Sequence, residues 1–133
     1  WAWRKKYVGR RIWLPITTGE YDMEKFESIA QLIDRVRLFS PGEWIYANPK
    51  TWEKTPQKTI FYYIPENYIQ ELEDDEIYLD DEGLEMPLNT KGLNLRTWML
   101  VSNFIYILDK SQGSNKKLIE GINYYREYDA FKE

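Results

Sequence analysis

The stretch that decides the fold is EWIYANPKTWEKTPQKTIFYYIP, residues 43–65. EWIYA (43–47) and KTIFYYI (58–64) are rich in β-branched and aromatic residues, which pack well on a pleated surface. Pro, Gly or Asn bounds both segments. The pattern predicts two strands that can pair antiparallel, with NPKTWEKTPQ (48–57) as a polar loop between them.

A helical pattern precedes these strands. From Met23 to Arg37, apolar residues recur at spacings of three and four, with Asp22 available as the N-cap and SPG (40–42) as the stop. This spacing predicts an amphipathic helix over residues 23–37.

Two further helices are predicted after the strands. The segment from Thr97 to Leu108 is too uniformly apolar for an amphipathic face, so it predicts a buried helix capped by Thr97, with a strand as the alternative. KKLIEGINYYREYDAF (116–131) predicts a closing helix that Ser114 or Asn115 caps. A short helix is expected in ENYIQEL (66–72).

These elements predict a single α+β domain over residues 23–133, in which a small antiparallel sheet packs against about three helices. Residues 1–22 form a basic lead with five cations and two acids, whereas the rest of the chain carries 13 basic and 20 acidic residues. The lead is either foreign to the domain or docked on it as an extended segment or hairpin, with its cations near an acidic run.

The amino-acid composition excludes several kinds of catalytic and metal-binding site. The chain contains no Cys and no His, which excludes disulfides, thiol chemistry, Ser-His-Asp catalysis and His-ligated zinc. The longest apolar run is about half of the ~20 residues that a membrane-spanning helix needs. We therefore expect no membrane segment, no cofactor and a cytoplasmic location.

The acidic run is ELEDDEIYLDDEGLE (71–85), with nine carboxylates and no cation. Its spacing does not fit a calcium-binding loop, and a dense run differs from the cleft-bound carboxylate pair of a glycoside hydrolase. It is therefore interpreted either as a solvated loop around Ile77, Tyr78 and Leu79 or as an interaction surface for a basic partner.

The second interpretation gives a set of candidate binding residues. Apolar residues flanked by charge resemble the core and rim of an interface, in which Tyr is a common anchor. The carboxylates expected to steer a partner are Glu73, Asp74, Asp75, Glu76, Asp80, Asp81 and Glu82, and the expected anchor is Tyr78.

Other binding functions are less well supported. WRKKYVGRR (3–11) interleaves aromatics with cations, as single-stranded nucleic-acid binders do, but a chain with a net charge of −4 would repel phosphate. We expect no nucleic-acid binding. The six Trp could form a sugar-stacking platform, although they serve more often as core material.

From Met23 onward, the order of parts resembles small bacterial immunity proteins that accompany contact-dependent growth inhibition and other polymorphic toxin systems. Besides the acidic middle, the segments that carry the resemblance are ESIAQLIDRVR (27–37), PGEWIYANP (41–49), NLRTWMLVSNFIYILDK (94–110) and LIEGINYYREYDAF (118–131).

The resemblance implies a protein that works by binding and has no enzymatic turnover. Such a protein would cover the active site of a cognate toxin domain, often a basic nuclease, and its acidic segment would compete with phosphate there. Two alternatives stay open: a carboxylate-dependent hydrolase or lyase acting on a sugar or nucleotide, and an acidic nucleic-acid mimic that inhibits a DNA-binding protein. The sequence does not specify the oligomeric state.

Overall fold

A computed structural model describes residues 22–132, which contain a four-stranded antiparallel sheet, a separate two-stranded hairpin and five α-helices. The predicted docking of the basic lead lies outside the described residues. The α+β class is confirmed, and the three longest helices correspond to the predicted number.

The main sheet contains β1 (Glu24–Phe26), β2 (Trp44–Ala47), β3 (Phe61–Tyr63) and β6 (Arg96–Leu100), in the order β1-β3-β2-β6. The predicted antiparallel pairing of the two strands in residues 43–65 is confirmed, with Tyr46 opposite Tyr62. Strands β4 (Ile77–Leu79) and β5 (Glu85–Pro87) form the separate hairpin.

The helices are α1 (Ile29–Val36), α2 (Pro49–Lys54), α3 (Glu66–Gln70), α4 (Val101–Ser111) and α5 (Asn115–Tyr128). Helix α3 confirms the short helix predicted in 66–72, and α5 confirms the helix predicted over 116–131 except that it ends at Tyr128. The Ser114 hydroxyl caps α5 by accepting a hydrogen bond from the Lys117 backbone N–H.

The predicted helix over 23–37 begins too early. Residues Glu24–Phe26 instead pair with β3, because this edge of the sheet offers free backbone partners. The helix starts only after Ser28, whose hydroxyl accepts from the Gln31 backbone N–H at 3.3 Å, so Asp22 is not the N-cap. In the first part of this segment, backbone pairing with β3 therefore determines the structure of three residues despite their helical spacing.

The segment from Thr97 to Leu108 holds both of the structures considered for it. Its first part belongs to β6 and its remainder to α4, so Thr97 is a strand residue and not a helix cap. A uniformly apolar run fits a buried strand and a buried helix equally well, which is why periodicity could not locate the boundary.

The predicted loop over 48–57 is also wrong in part. Helix α2 lies within it, capped by the Asn48 side chain, which accepts from the Lys50 backbone N–H at 2.9 Å, and Pro49 fits the first helical turn. Trp52, on this helix, is buried in the main core. An Asn-Pro pair thus marks a helix start here and not only a turn.

The sheet separates two clusters of buried side chains. Because neighbouring strand residues point to opposite faces, Ile45 and Tyr63 lie in the main core with the helices, whereas Tyr46 and Tyr62 lie in a second cluster with Met86 of β5. The long helices therefore pack on one face of the sheet and the β4–β5 hairpin on the other. No helix among residues 22–132 has the length and hydropathy to cross a membrane.

Candidate functional site

Residues 73–87, which we call the acidic hairpin, are folded, in contrast to the solvated loop that was one of the two interpretations of the acidic run. They begin with a 3₁₀ turn (Asp74–Glu76) and continue through β4 and β5. The Glu76 carboxylate accepts from the Glu73 backbone N–H at 3.0 Å, so the first turn is closed by its own acidic side chain. Part of the charge in the run therefore stabilises local backbone structure.

The hairpin is attached to the sheet by one of its faces. Tyr78 pairs with Met86 across the two strands, and both side chains pack in the second cluster. Leu79, the next residue on β4, points outward and is 65% exposed. Tyr78 is therefore half-buried, and its predicted role as the anchor for a partner stays a prediction.

Asp80 is the structural centre of the turn that joins β4 to β5. Its side chain is only 4% exposed, and its Oδ1 accepts from the backbone N–H groups of Glu82 and Leu84, both at 2.9 Å. Gly83 has φ of +82°, a left-handed conformation that favours glycine. Asp80 is therefore not available for direct contact with a partner, unlike its neighbours.

Arg96, at the start of β6, is the cation that this turn approaches. Its guanidinium nitrogens lie 4.0 Å from Asp80 Oδ2, 3.3 Å from Asp81 Oδ2 and 3.8 Å from Glu82 Oε1. One positive charge thus faces three carboxylates and leaves the turn negative. Sequence reasoning missed Arg96 because it lies 15 residues beyond Asp81, outside the acidic run.

The remaining carboxylates divide by exposure. The side chain of Asp81 is 90% exposed and that of Glu82 62% exposed. Asp74 and Asp75 are also exposed, whereas Glu73 and Glu76 are half-buried. Of the seven predicted steering residues, the exposed ones are Asp74, Asp75, Asp81 and Glu82. Glu85, which was not in the predicted set, is exposed as well.

The negative charge extends to the sheet beneath the hairpin. The pKa of Tyr46 is raised above its ordinary value, chiefly by burial and further by the carboxylates of Glu43, Asp80 and Glu66. Negative potential and burial both disfavour the ionised phenol.

Apolar side chains lie next to the exposed carboxylates. Leu84, at the other end of the turn from Leu79, is 44% exposed. A groove of about 280 Å³ next to the hairpin is lined by apolar and aromatic side chains and by two acids, namely Tyr68, Leu72, Pro87, Leu88, Asp75 and Glu76. This combination can accept a Lys or Arg side chain, whose apolar stem packs on carbon while its charged head meets a carboxylate.

The described residues contain no group of three or more acidic side chains arranged to hold a metal ion. No family model matches the sequence, and neither the curated proteins nor the solved structures include a significantly similar chain.

Proposed function

We propose that the protein is a non-enzymatic binding protein that neutralises a basic toxin domain in the cytoplasm by covering its active site. The observation that carries this proposal is that one folded hairpin exposes both carboxylates and leucines. Leu79 and Leu84 flank Asp81 and Glu82 along the chain, and all four side chains are exposed, so that charged and apolar groups are both available to a partner.

The fold of the hairpin supports binding because the surface is already ordered. A solvated loop would lose conformational entropy when a partner immobilised it. Here the turn is fixed by Asp80, and the strands are fixed by Tyr78 and Met86 in the second cluster. The exposed charges can therefore be presented to a partner in one geometry.

The charge of the hairpin supports a basic partner. A surface of one sign attracts an oppositely charged protein at long range and raises association rates by about 10- to 10³-fold at low salt. A nuclease binds the phosphate backbone of its substrate largely through Lys and Arg side chains. Carboxylates placed over these cations would compete with the phosphates of the substrate.

The test uses three baits in a pull-down from lysate of the native host. They are the wild-type chain, a hairpin-neutralised variant and a matched control, and each of the two variants changes net charge by four. The hairpin variant carries Asp74→Asn, Asp75→Asn, Asp81→Asn and Glu82→Gln, and leaves Asp80 intact. The control carries Glu27→Gln, Asp34→Asn, Glu53→Gln and Glu127→Gln, all exposed acids outside the hairpin.

The expected result is one basic protein captured by the wild-type and control baits and lost with the hairpin-neutralised bait. That protein should carry a toxic activity, such as nucleic-acid cleavage, which the purified wild-type chain inhibits at a stoichiometric ratio. Capture that is equal for all three baits, or a captured protein whose activity is unchanged by the chain, would contradict the proposal.

A further inference from the structure

A cleft of about 360 Å³ lies between α4 and α5, on the face of the sheet opposite the acidic hairpin. We call it the lysine cleft because three lysines line it together with aromatic and aliphatic side chains. Its defining residues are Lys110, Lys117, Lys132, Tyr106, Ile107 and Phe131.

The aromatic wall of the cleft is held in place by ring contacts. Phe131 follows the end of α5 and packs against Tyr106, with ring centroids 4.2 Å apart, and against Tyr125 at 5.0 Å. The Tyr125 hydroxyl accepts in turn from Asn103 Nδ2 at 2.8 Å. These contacts fold the chain after α5 back onto the two helices and give the cleft a third side.

At the floor of the cleft, Gly121 of α5 lies against Ile107 of α4. A Cβ atom added at Gly121 would lie 2.8 Å from Ile107 Cγ2, so only glycine permits this spacing without displacement. Ile107 is buried at this contact. The base of the cleft is therefore a close apolar contact between the two helices.

The charge of the cleft is opposite to that of the chain. Three lysines face one acid, Glu120, which gives a local net charge of +2 in a protein of net charge −4. None of the three lysines forms a salt bridge with a carboxylate among residues 22–132. The Lys110 ammonium lies 5.6 Å from the Tyr106 ring centroid, at the aromatic wall.

We propose that the lysine cleft binds a small organic anion that has a flat apolar body, such as an aromatic sulfonate, carboxylate or phosphate ester. The volume of the cleft falls within the range of about 300–1,000 Å³ that is usual for ligand pockets. Most of its lining is apolar, with a few charged groups. The body of the ligand would lie against Ile107 and Phe131, and its anionic group would meet the lysines.

The test is a titration of the purified chain with 8-anilinonaphthalene-1-sulfonate, a flat aromatic anion, and with N-phenyl-1-naphthylamine, which has the same body without the sulfonate. The cleft variant carries Lys110→Gln, Lys117→Gln and Lys132→Gln. The matched control carries Lys50→Gln, Lys54→Gln and Lys91→Gln, exposed lysines that lie outside the cleft.

We expect saturable binding of about one sulfonate probe per chain, with affinity lowered about tenfold or more in the cleft variant and unchanged in the control. The neutral probe should bind correspondingly more weakly to the wild-type chain. The NMR signals of the Tyr106 and Phe131 rings should shift during the titration. Equal affinity in the cleft variant, equal binding of the neutral probe, or the lack of saturable binding would overturn the proposal.

Discussion

The acidic hairpin carries its charge in one continuous segment, whereas the lysine cleft gathers its cations from two helices and the chain that follows them. The hairpin has to hold like charges close together, and it does so by using some of them as hydrogen-bond acceptors for its own backbone. Asp80 and Glu76 both have this role. The lysines of the cleft are held apart by helices that the main core stabilises. They therefore do not have to bond to their own backbone.

The two regions also differ in how much core supports them. Among the described residues, the helices share a main core of sixteen buried residues, whereas the second cluster beneath the hairpin has five. Loss of core packing on the helical face should therefore weaken the whole domain. Substitutions in the acidic hairpin should destabilise mainly the hairpin and have smaller effects on the rest of the domain.

The largest expected effect comes from Trp52→Ala, which removes a buried side chain from the main core on the helical face of the sheet. Trp52 is 1% exposed, packs against Phe61 and Trp98, and donates from Nε1 to Asn123 Oδ1 of α5 at 2.7 Å. Its removal should lower the free energy of unfolding by about 3–5 kcal/mol, measured by urea denaturation. A loss below about 1 kcal/mol would mean that the main core does not depend on this residue.

Asp80→Ala should have the next largest effect and tests how the hairpin holds its charge. Two backbone N–H groups would lose a charged acceptor, which should lower the free energy of unfolding by about 1.5–3 kcal/mol. Asp81→Ala is the matched control, because its side chain is 90% exposed and should change stability by less than about 0.5 kcal/mol. Equal effects of the two substitutions in urea denaturation would refute a structural role for Asp80.

The smallest effect is expected at alkaline pH. The raised pKa of Tyr46 means that the folded state retains the phenolic proton longer than the unfolded state. Its contribution to stability is complete below the unfolded pKa of about 10 and is lost as pH rises through the folded pKa. Tyr46→Phe removes this titration, so the stability of the variant should decline less between about pH 9 and about pH 11.

The measurement is urea denaturation across that pH range, with Tyr106→Phe as a control for the loss of one hydroxyl. A decline in Tyr46→Phe as steep as in the wild-type chain would show that the burial of Tyr46 and its neighbouring carboxylates does not affect alkaline stability.

Local signals in the sequence predicted part of this structure. Strands β2 and β3, helix α5 and its Ser114 cap follow from composition and spacing, and the acidic run located the candidate site. The strand at Glu24–Phe26 could not be predicted, because three residues carry little periodicity and the pairing depends on β3, more than 30 positions away.

Local sequence patterns could not predict which side chains of the acidic hairpin are buried and which are exposed, because this depends on contacts that form only in the folded chain. Asp80 and Asp81 are adjacent and identical in type, yet one is buried in the turn and the other exposed. Alternation along β4 could have placed Tyr78 inward and Leu79 outward, had a strand been predicted there. Tertiary packing brings Arg96 to the turn and brings the three lysines of the cleft together. Residue spacing along the chain does not reveal either arrangement.

The measurement that tests the central claim most directly is the rate of association between the captured basic partner and three forms of the chain at low and moderate salt. These forms are the wild-type, hairpin-neutralised and matched control proteins. We predict that the wild-type rate falls with added salt and that neutralising the hairpin lowers the low-salt rate by about tenfold or more, while the control remains close to the wild type. Equal rates for all three forms would contradict the claim that the exposed carboxylates of the acidic hairpin form the binding surface.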